Sequence, residues 1–477
     1  MRKIFFLLVT SIAASQLFAV SLPHIFSDNM VLAQNAEVPV WGFGKAGEEI
    51  ALTASWQPEK TLHTVADADG KWQILLKTPS GSFDNYIIDI QGYNHIQFTN
   101  VQIGELWFVS GQSNMEMSAD WGIDNMDAEI AATNYPDIRF FKTDYRTAEF
   151  PQQDLGGAWE VCTPQAMRNF SAIGYFFARN LRKEINLPVG VICSAWGGTY
   201  IESWIPAEAF ANNEFLREGA SEITPVQWGP SKHSVLYNAM VAPIIPYKIN
   251  GILWYQGEQN TANPQYYREM LTALISQWRE KWNSQNLPFY FAQIAPFNYG
   301  NNFSGVEIRN AQLQVALNVP NTAMIMTSDI CTTDDIHPKN KQEAGKRFAD
   351  IAIKNYKNKC TISFTPLPKL FRNIDTVPET LNIKKAKNNS VILLGNLHFK
   401  SKSNNLFEIA GKDGVYYRAK VEIKSVKKSP TGEKYLEFFA PEVLQPVSVR
   451  YAWENTALPD LFNDYNLPLS SFELKIE

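Results

Sequence analysis

Cysteine is scarce in this chain of 477 residues: there are four, Cys162, Cys193, Cys331 and Cys360. No Cys-x-x-Cys pair and no Cys/His cluster occurs, so a zinc site has no ligand set and no metal is expected. Four cysteines allow three disulfide pairings, which the sequence does not choose between, and a chain of this length needs none to bury a core. Charged residues make up only 19% and the net charge is −5. That leaves no electrostatic case for nucleic acid or an anionic membrane surface as partner. Histidine is limited to six positions. Beyond the first 19 residues there is no hydrophobic run long enough to span a bilayer, and there are no long repeats or low-complexity tracts.

The first 19 residues read as a targeting segment. Arg2 and Lys3 precede an apolar run too short for a comfortable span, and Ala19 closes it. Cleavage there predicts an exported protein, secreted or periplasmic. Aromatic content is high, at 13% with 13 Trp.

Three regions differ in periodicity. Residues 20–97 alternate with period two, as in Val38-Pro-Val-Trp-Gly-Phe-Gly and Lys71-Trp-Gln-Ile-Leu-Leu, with turns at Asp67-Ala-Asp-Gly and Ser80-Gly-Ser. They predict a sandwich-like β domain. From 98 to 358, short apolar strands at 106–109, 189–193, 251–255, 289–294 and 323–327 alternate with helical stretches, which predicts a parallel, doubly wound α/β sheet. Phe170 to Ile185 has helical spacing. Asn263-Pro264 reads as an N-cap followed by Pro at the first helical position. Residues 359–477 return to period two and predict a second β domain.

The stretch Glu105-Leu-Trp-Phe-Val-Ser-Gly-Gln-Ser113-Asn-Met-Glu-Met is an apolar strand that stops at Gly111 and hands a serine to helix-compatible residues. This places the Ser113 hydroxyl at the carboxyl edge of the sheet, where open α/β folds keep their reactive crevice. The N–H groups of the following helix could then face an oxyanion. A serine nucleophile needs a base. Of the six histidines, four lie in the β regions, leaving His233, in a Ser-Lys-His-Ser loop, and His337. His337 sits in Thr-Asp334-Asp335-Ile-His-Pro, just past the last strand. Asp334, three residues before it, is placed to reach Nδ1 across one turn; Asp335 is the poorer orienter. Oxyanion donors are sought in two post-strand loops. One is Trp196-Gly197-Gly198-Thr199; the other is Trp254-Tyr-Gln256-Gly-Glu258-Gln-Asn260. Gly198 N–H and a side-chain amide are expected, Gln256 before Asn260, with Glu258 as a supporting carboxylate. Trp196, Trp204 and Trp254 are candidate walls of a sugar pocket.

Taken together, Gly-Gln-Ser-Asn-Met-Glu-Met (111–117), Trp-Gly-Gly-Thr-Tyr-Ile-Glu-Ser-Trp (196–204), Leu-Tyr-Asn-Ala-Met-Val-Ala-Pro (236–243), Trp-Tyr-Gln-Gly-Glu-Gln-Asn (254–260) and Asp-Ile-His-Pro-Lys-Asn-Lys-Gln (335–342) resemble the sialate O-acetylesterase family of SGNH-type serine hydrolases. Phe26-Ser-Asp-Asn-Met-Val-Leu and Val449-Arg-Tyr-Ala-Trp-Glu-Asn extend the resemblance to both ends. It implies an SGNH-hydrolase, flavodoxin-like parallel sheet flanked by helices, with β-sandwich-like regions at the N- and C-termini. It also implies hydrolysis of acetyl esters on sugars through a Ser113–His337–Asp334 acyl-enzyme, without a cofactor. The segment from 206 to 235 is shorter than in many relatives, which leaves the sugar open. An acetylated plant polysaccharide such as xylan or xyloglucan is the enzymatic alternative. A catalytically silent carbohydrate-binding protein is the alternative from another class.

Overall fold

The computed structural model describes residues 19–357 continuously and, beyond them, 367–370, 380–385, 391–394, 397–400, 406–425 and 434–476. The expected targeting segment and Cys360 therefore lie outside the described residues. Cys162, Cys193 and Cys331 are free thiols. Among the described residues no helix is long and apolar enough to cross a membrane.

Seven strands are drawn from the first 111 residues: β1 (Val31–Ala33), β2 (Glu37–Phe43), β3 (Glu49–Ala54), β4 (Leu62–Val65), β5 (Lys71–Lys77), β6 (Ser82–Gln91) and β7 (His95–Gly111). Along β5 every second side chain is buried, and Asp67 closes the turn before it by accepting the N–H groups of Asp69 and Lys71, both at 2.9 Å.

β7 joins the N-terminal β region to the core sheet. It is 17 residues long, and a domain boundary at 97 falls inside it. Its first part pairs antiparallel with β6; its last part, from Glu105, lies between two parallel strands. The sequence follows this change of surroundings. Burial is intermittent to Asn100 and continuous from Val101, as a strand covered on both faces requires.

The core sheet adds β8 (Tyr135–Lys142), β9 (Trp159–Cys162), β10 (Val189–Ala195), β11 (Gly251–Tyr255), β12 (Phe289–Ala292) and β13 (Thr322–Ile325). Their spatial order is β13-β12-β11-β7-β10-β8-β9, parallel throughout except for β9. From β7 the chain goes to β8 and the edge strand β9, returns to insert β10 between β7 and β8, and then crosses to β11, β12 and β13 on the other side, so β7 is the switch strand. Ser113 follows it directly.

Helices Ala172–Ile185 and Lys341–Lys357 pack against each other. Gly345 permits the approach, because a Cβ there would meet the Phe177 nitrogen at 2.8 Å. Ser171 caps the first of these helices by accepting Gly174 N–H at 3.0 Å. Trp278, on helix Tyr267–Lys281, packs its ring against Phe108, Trp254 and Phe289 of the sheet. Asn263 does not cap that helix: its side chain is taken by Glu202, and a short 3₁₀ turn at Pro264–Tyr266 leads in instead. The C-terminal β region is tied to the core through Asn455. Its Oδ1 accepts Gly305 N–H at 2.9 Å, at the start of helix Ser304–Asn318, while Arg309 of that helix donates to the Glu454 and Asn455 carbonyls.

Candidate active site

Gly111 ends β7 with φ of +138°, and a Cβ there would stand 2.1 Å from the Tyr255 carbonyl of β11. Only glycine lets the chain turn this close to the neighbouring strand. Gln112 N–H then bonds the same carbonyl at 2.9 Å, and Ser113 opens a single helical turn, Ser113–Glu116. This turn is too short to supply a helix dipole, so any stabilisation of negative charge must come from individual N–H groups.

His337 Nε2 lies 2.9 Å from Ser113 Oγ, a nucleophile–base pair built from residues 224 apart. Burial holds the imidazole pKa below its ordinary value, assisted by the Lys341 charge and opposed by Asp335. The ring is therefore a neutral base at neutral pH.

Asp334 does not make the bond expected of it. It is exposed, and its carboxyl is held low by the Thr332 hydroxyl. Asp335 turns inward instead. Its Oδ1 accepts His337 N–H at 2.9 Å, shaping the loop, and it is the carboxylate whose charge favours the imidazolium. An Asx turn explains the exchange: the carboxylate two residues before the histidine folds back onto its N–H and leaves the preceding one in solvent.

The expected oxyanion donors divide in the same way. Gly197 lies against Ser113, but its N–H is committed to Glu116 Oε2 at 2.6 Å. Gly198 N–H and Ser113 N–H make no hydrogen bond among the described residues. Gly198 has φ of +65°, and the Trp228 ring lies so close that a Cβ would meet it at 2.0 Å.

Gln256 and Asn260 are both fully buried and fully used. Gln256 Nε2 donates to the Thr199 carbonyl (3.1 Å) and Asn260 Oδ1 (2.7 Å), and its Oε1 accepts from Tyr267. Asn260 donates to Glu202 at 2.9 Å and accepts Ile201 N–H at 2.9 Å. These amides knit the 196–204 loop to the 254–260 loop and cannot reach an oxyanion. Gln112 and Gln259 are the amides that do line the cavity. Gln112 Oε1 accepts Gly257 and Gln259 N–H, and its Nε2 makes no hydrogen bond among the described residues.

Glu258 is part of a buried chain behind the reacting pair. Asn114 Nδ2 donates to Glu258 Oε1 at 2.6 Å and to the Ile336 carbonyl at 3.0 Å, while its Oδ1 accepts Lys341 Nζ at 2.6 Å. Burial pushes Glu258 up to about 7 and Lys341 down to about 7, each charge partly offsetting the cost to the other. The residue after the nucleophile thus clamps the loop that carries the base.

The cavity over Ser113 has a volume of about 520 Å³. Of the three expected tryptophans only Trp196 lines it; Trp204 and Trp254 form an edge-to-face pair in the core. Trp121, Tyr145 and Trp228 complete the rim. Trp121 and Trp228 each precede a glycine in a loop, the only trace they leave in the sequence. His233 lies away from the cavity, against Phe210.

The sequence matches the profile of the family described as "Carbohydrate esterase, sialic acid-specific acetylesterase" over residues 103–354. It is 31% identical over 362 residues to the sialate O-acetylesterase of Homo sapiens, covering 68% of each chain. It is 30% identical over 387 residues to that of Mus musculus, covering 68% of this chain and 71% of the other. A crystal structure of a carbohydrate acetylesterase from Xanthomonas citri superposes with a TM-score of 0.81 at 28% identity, covering 96% of this chain and 99% of that one. With the profile spanning more than half its length, the chain belongs to the carbohydrate esterase, sialic acid-specific acetylesterase family.

Proposed function

We propose that this esterase removes acetyl groups from sugar hydroxyls through an acetyl-enzyme on Ser113, in an SGNH-type core. Ser113 Oγ attacks the acetyl carbonyl while His337 Nε2 takes its proton. The tetrahedral oxyanion is held by Ser113 N–H and Gly198 N–H, with the Gln112 side-chain amide as a third donor. His337 then protonates the departing sugar oxygen. A water attacks the acetyl-serine, again giving its proton to His337, and acetate leaves as Ser113 recovers its hydrogen. Asp335 supports the imidazolium. Export is proposed with this role, on the character of residues 1–19.

The observation that carries the reading is the 2.9 Å Ser113–His337 contact beside two unoccupied N–H groups. Acetate release from 4-nitrophenyl acetate by wild type and Ser113→Ala, at matched circular dichroism, tests it. A fall of several orders of magnitude is expected. Equal rates, or a silent wild type that binds acetylated sugars, would replace the enzyme reading by a binding one.

A further inference from the structure

A second cavity, of about 510 Å³, lies toward the amino ends of the core strands and shares no lining residue with the cavity over Ser113. It sits where the N-terminal β region meets the core. Asn85 and Gln102 come from β6 and β7, Asp137 and Arg139 from the first part of β8, and Arg182 from helix Ala172–Ile185. Junctions of this kind are favoured places for small-molecule sites.

Arg139 floors this cavity and is only 2% exposed. Its guanidinium commits two of five N–H donors, both to neutral amides. Nη1 donates to Asn29 Oδ1 and Nη2 to Asn100 Oδ1, each at 3.3 Å, which is long for such bonds. Its Nε has no partner among the described residues. The Asp137 charge acts on Arg139 through space, but the Asp137 carboxylate bonds Arg182 Nε at 2.6 Å. Burial draws the Arg139 pKa down to about 10, Asp137 opposing it, so the group stays charged at neutral pH. A charge withdrawn from water is ordinarily matched by a hydrogen-bonded counter-ion. Here Asp137, Arg139 and Arg182 are the charged groups of the lining and leave one positive charge over. Gln102 adds an unmet acceptor. It is 4% exposed, its Nε2 donates to Asn85 Oδ1 at 3.3 Å, and its Oε1 has no partner among the described residues.

We infer that this cavity binds a free sugar acid, its carboxylate answering Arg139 and one of its hydroxyls donating to Gln102. The excess of one positive charge suits a monoanion, and a carboxylate matches the planar guanidinium. An uncharged sugar would leave Arg139 without a counter-charge. Sulfate would carry one negative charge too many and has no hydrogen to give Gln102 Oε1. Asn85 and Asn134, exposed at the mouth, offer amides to the remaining hydroxyls of a sugar ring. The inference stands on this cavity and not on the chemistry at Ser113.

Isothermal titration calorimetry of the purified full chain tests it with N-acetylneuraminate, D-glucuronate, D-glucose, L-lactate and sulfate at matched ionic strength. One or both sugar acids should bind at a single site, with the other three probes weaker by about tenfold or more, the size of one charge-assisted hydrogen bond. Two variants locate the site. Arg139→Met removes the cation. Asn29→Asp leaves the cavity wall intact and gives Arg139 a carboxylate from behind. Its Oδ1 still accepts from Arg139 and Asn100, and only the 3.3 Å bond from Nδ2 to the Trp159 carbonyl is lost. Each variant should weaken the sugar acid by about tenfold or more while kcat on 4-nitrophenyl acetate stays at the wild-type value. Should Arg139→Met fail to fold, Asn29→Asp decides. Failure of both sugar acids to bind, binding as tight in Asn29→Asp as in wild type, or glucose, lactate or sulfate binding as tightly as the sugar acid would each overturn the inference.

Discussion

Replacing Asn114 by alanine should damage both folding and catalysis, in amounts that follow from the three bonds its amide makes. The change removes the bonds to Glu258 Oε1, the Ile336 carbonyl and Lys341 Nζ. Glu258 already has one buried oxygen without a hydrogen-bond partner among the described residues, and its other oxygen would lose the Asn114 amide. Lys341 would lose its hydrogen bond to Asn114 and keep the face of the Tyr255 ring, 5.7 Å away. Each buried polar group left unsatisfied costs about 1–3 kcal/mol, so three of them put the total at about 3–9 kcal/mol. At a few degrees per kcal/mol, the melting temperature should fall by on the order of 10 °C. Catalysis suffers separately, because the Ile336 carbonyl is the handle by which Asn114 fixes the loop of His337. A shift of about 1 Å in the base costs on the order of 100-fold in kcat. The assay is thermal melting by circular dichroism together with kcat on 4-nitrophenyl acetate, measured well below the melting point of the variant. Wild-type kcat together with an unchanged melting temperature would refute the clamp. A lowered melting temperature with wild-type kcat would confine Asn114 to stability and refute its role in positioning the base.

The acid limb of kcat/KM should lie below the ordinary imidazole value, since only neutral His337 accepts the serine proton and its folded pKa is lowered. Rate is then lost as pH falls through that value. Lys341→Met removes one of the two causes of the lowering, so the limb should move to higher pH; an unmoved limb in a pH–rate profile would contradict this. Asp335→Asn should lower kcat by about tenfold or more, through the lost charge beside the imidazole, while Asp334→Asn should stay near wild type. The reverse order in the two variants' kcat would restore Asp334 as the orienting carboxylate. Gln256→Ala should lower the melting temperature by several degrees, because Tyr267 and the Thr199 carbonyl lose buried partners. Its kcat below the melting point should stay within about tenfold of wild type, whereas loss of an oxyanion donor costs about 10²–10³ in kcat.

Much of the fold was legible because it is written in periodicity. The strands after Val189, Gly251 and Phe289 are short apolar runs bounded by turns, and the switch point after β7 follows from a strand that ends in Gly-Gln-Ser. Two core strands escaped: Tyr135–Lys142 and Trp159–Cys162 lie toward one edge of the sheet, where Pro136, Asp137 and Arg139 break the apolar run. β7 looked short because its two halves obey different patterns, one half-exposed and one fully buried. In the site, Ser113 and His337 could be paired by elimination among so few histidines.

The oxyanion donors could not be read in this way. Gln256, Asn260 and Gln259 sit in one loop with the same chemistry, and only the fold shows that the first two face Thr199 and Glu202 while the third faces the cavity. Asp334 and Asp335 are equally ambiguous, since a one-residue change of turn decides which carboxylate points inward. Asn114 and Lys341 were visible within the motifs, but their partnership joins residues 227 apart and has no local signature.

The central claim is that the acetyl group passes through a covalent ester on Ser113. Rapid-quench mass spectrometry after mixing enzyme with excess 4-nitrophenyl acetate, followed by peptide mapping, tests it most directly. The account predicts an acetyl group on the peptide carrying Ser113, accumulating within the first turnover and absent from Ser113→Ala. Acetate release at the wild-type rate with no labelled serine, or with the label on another residue, would contradict it.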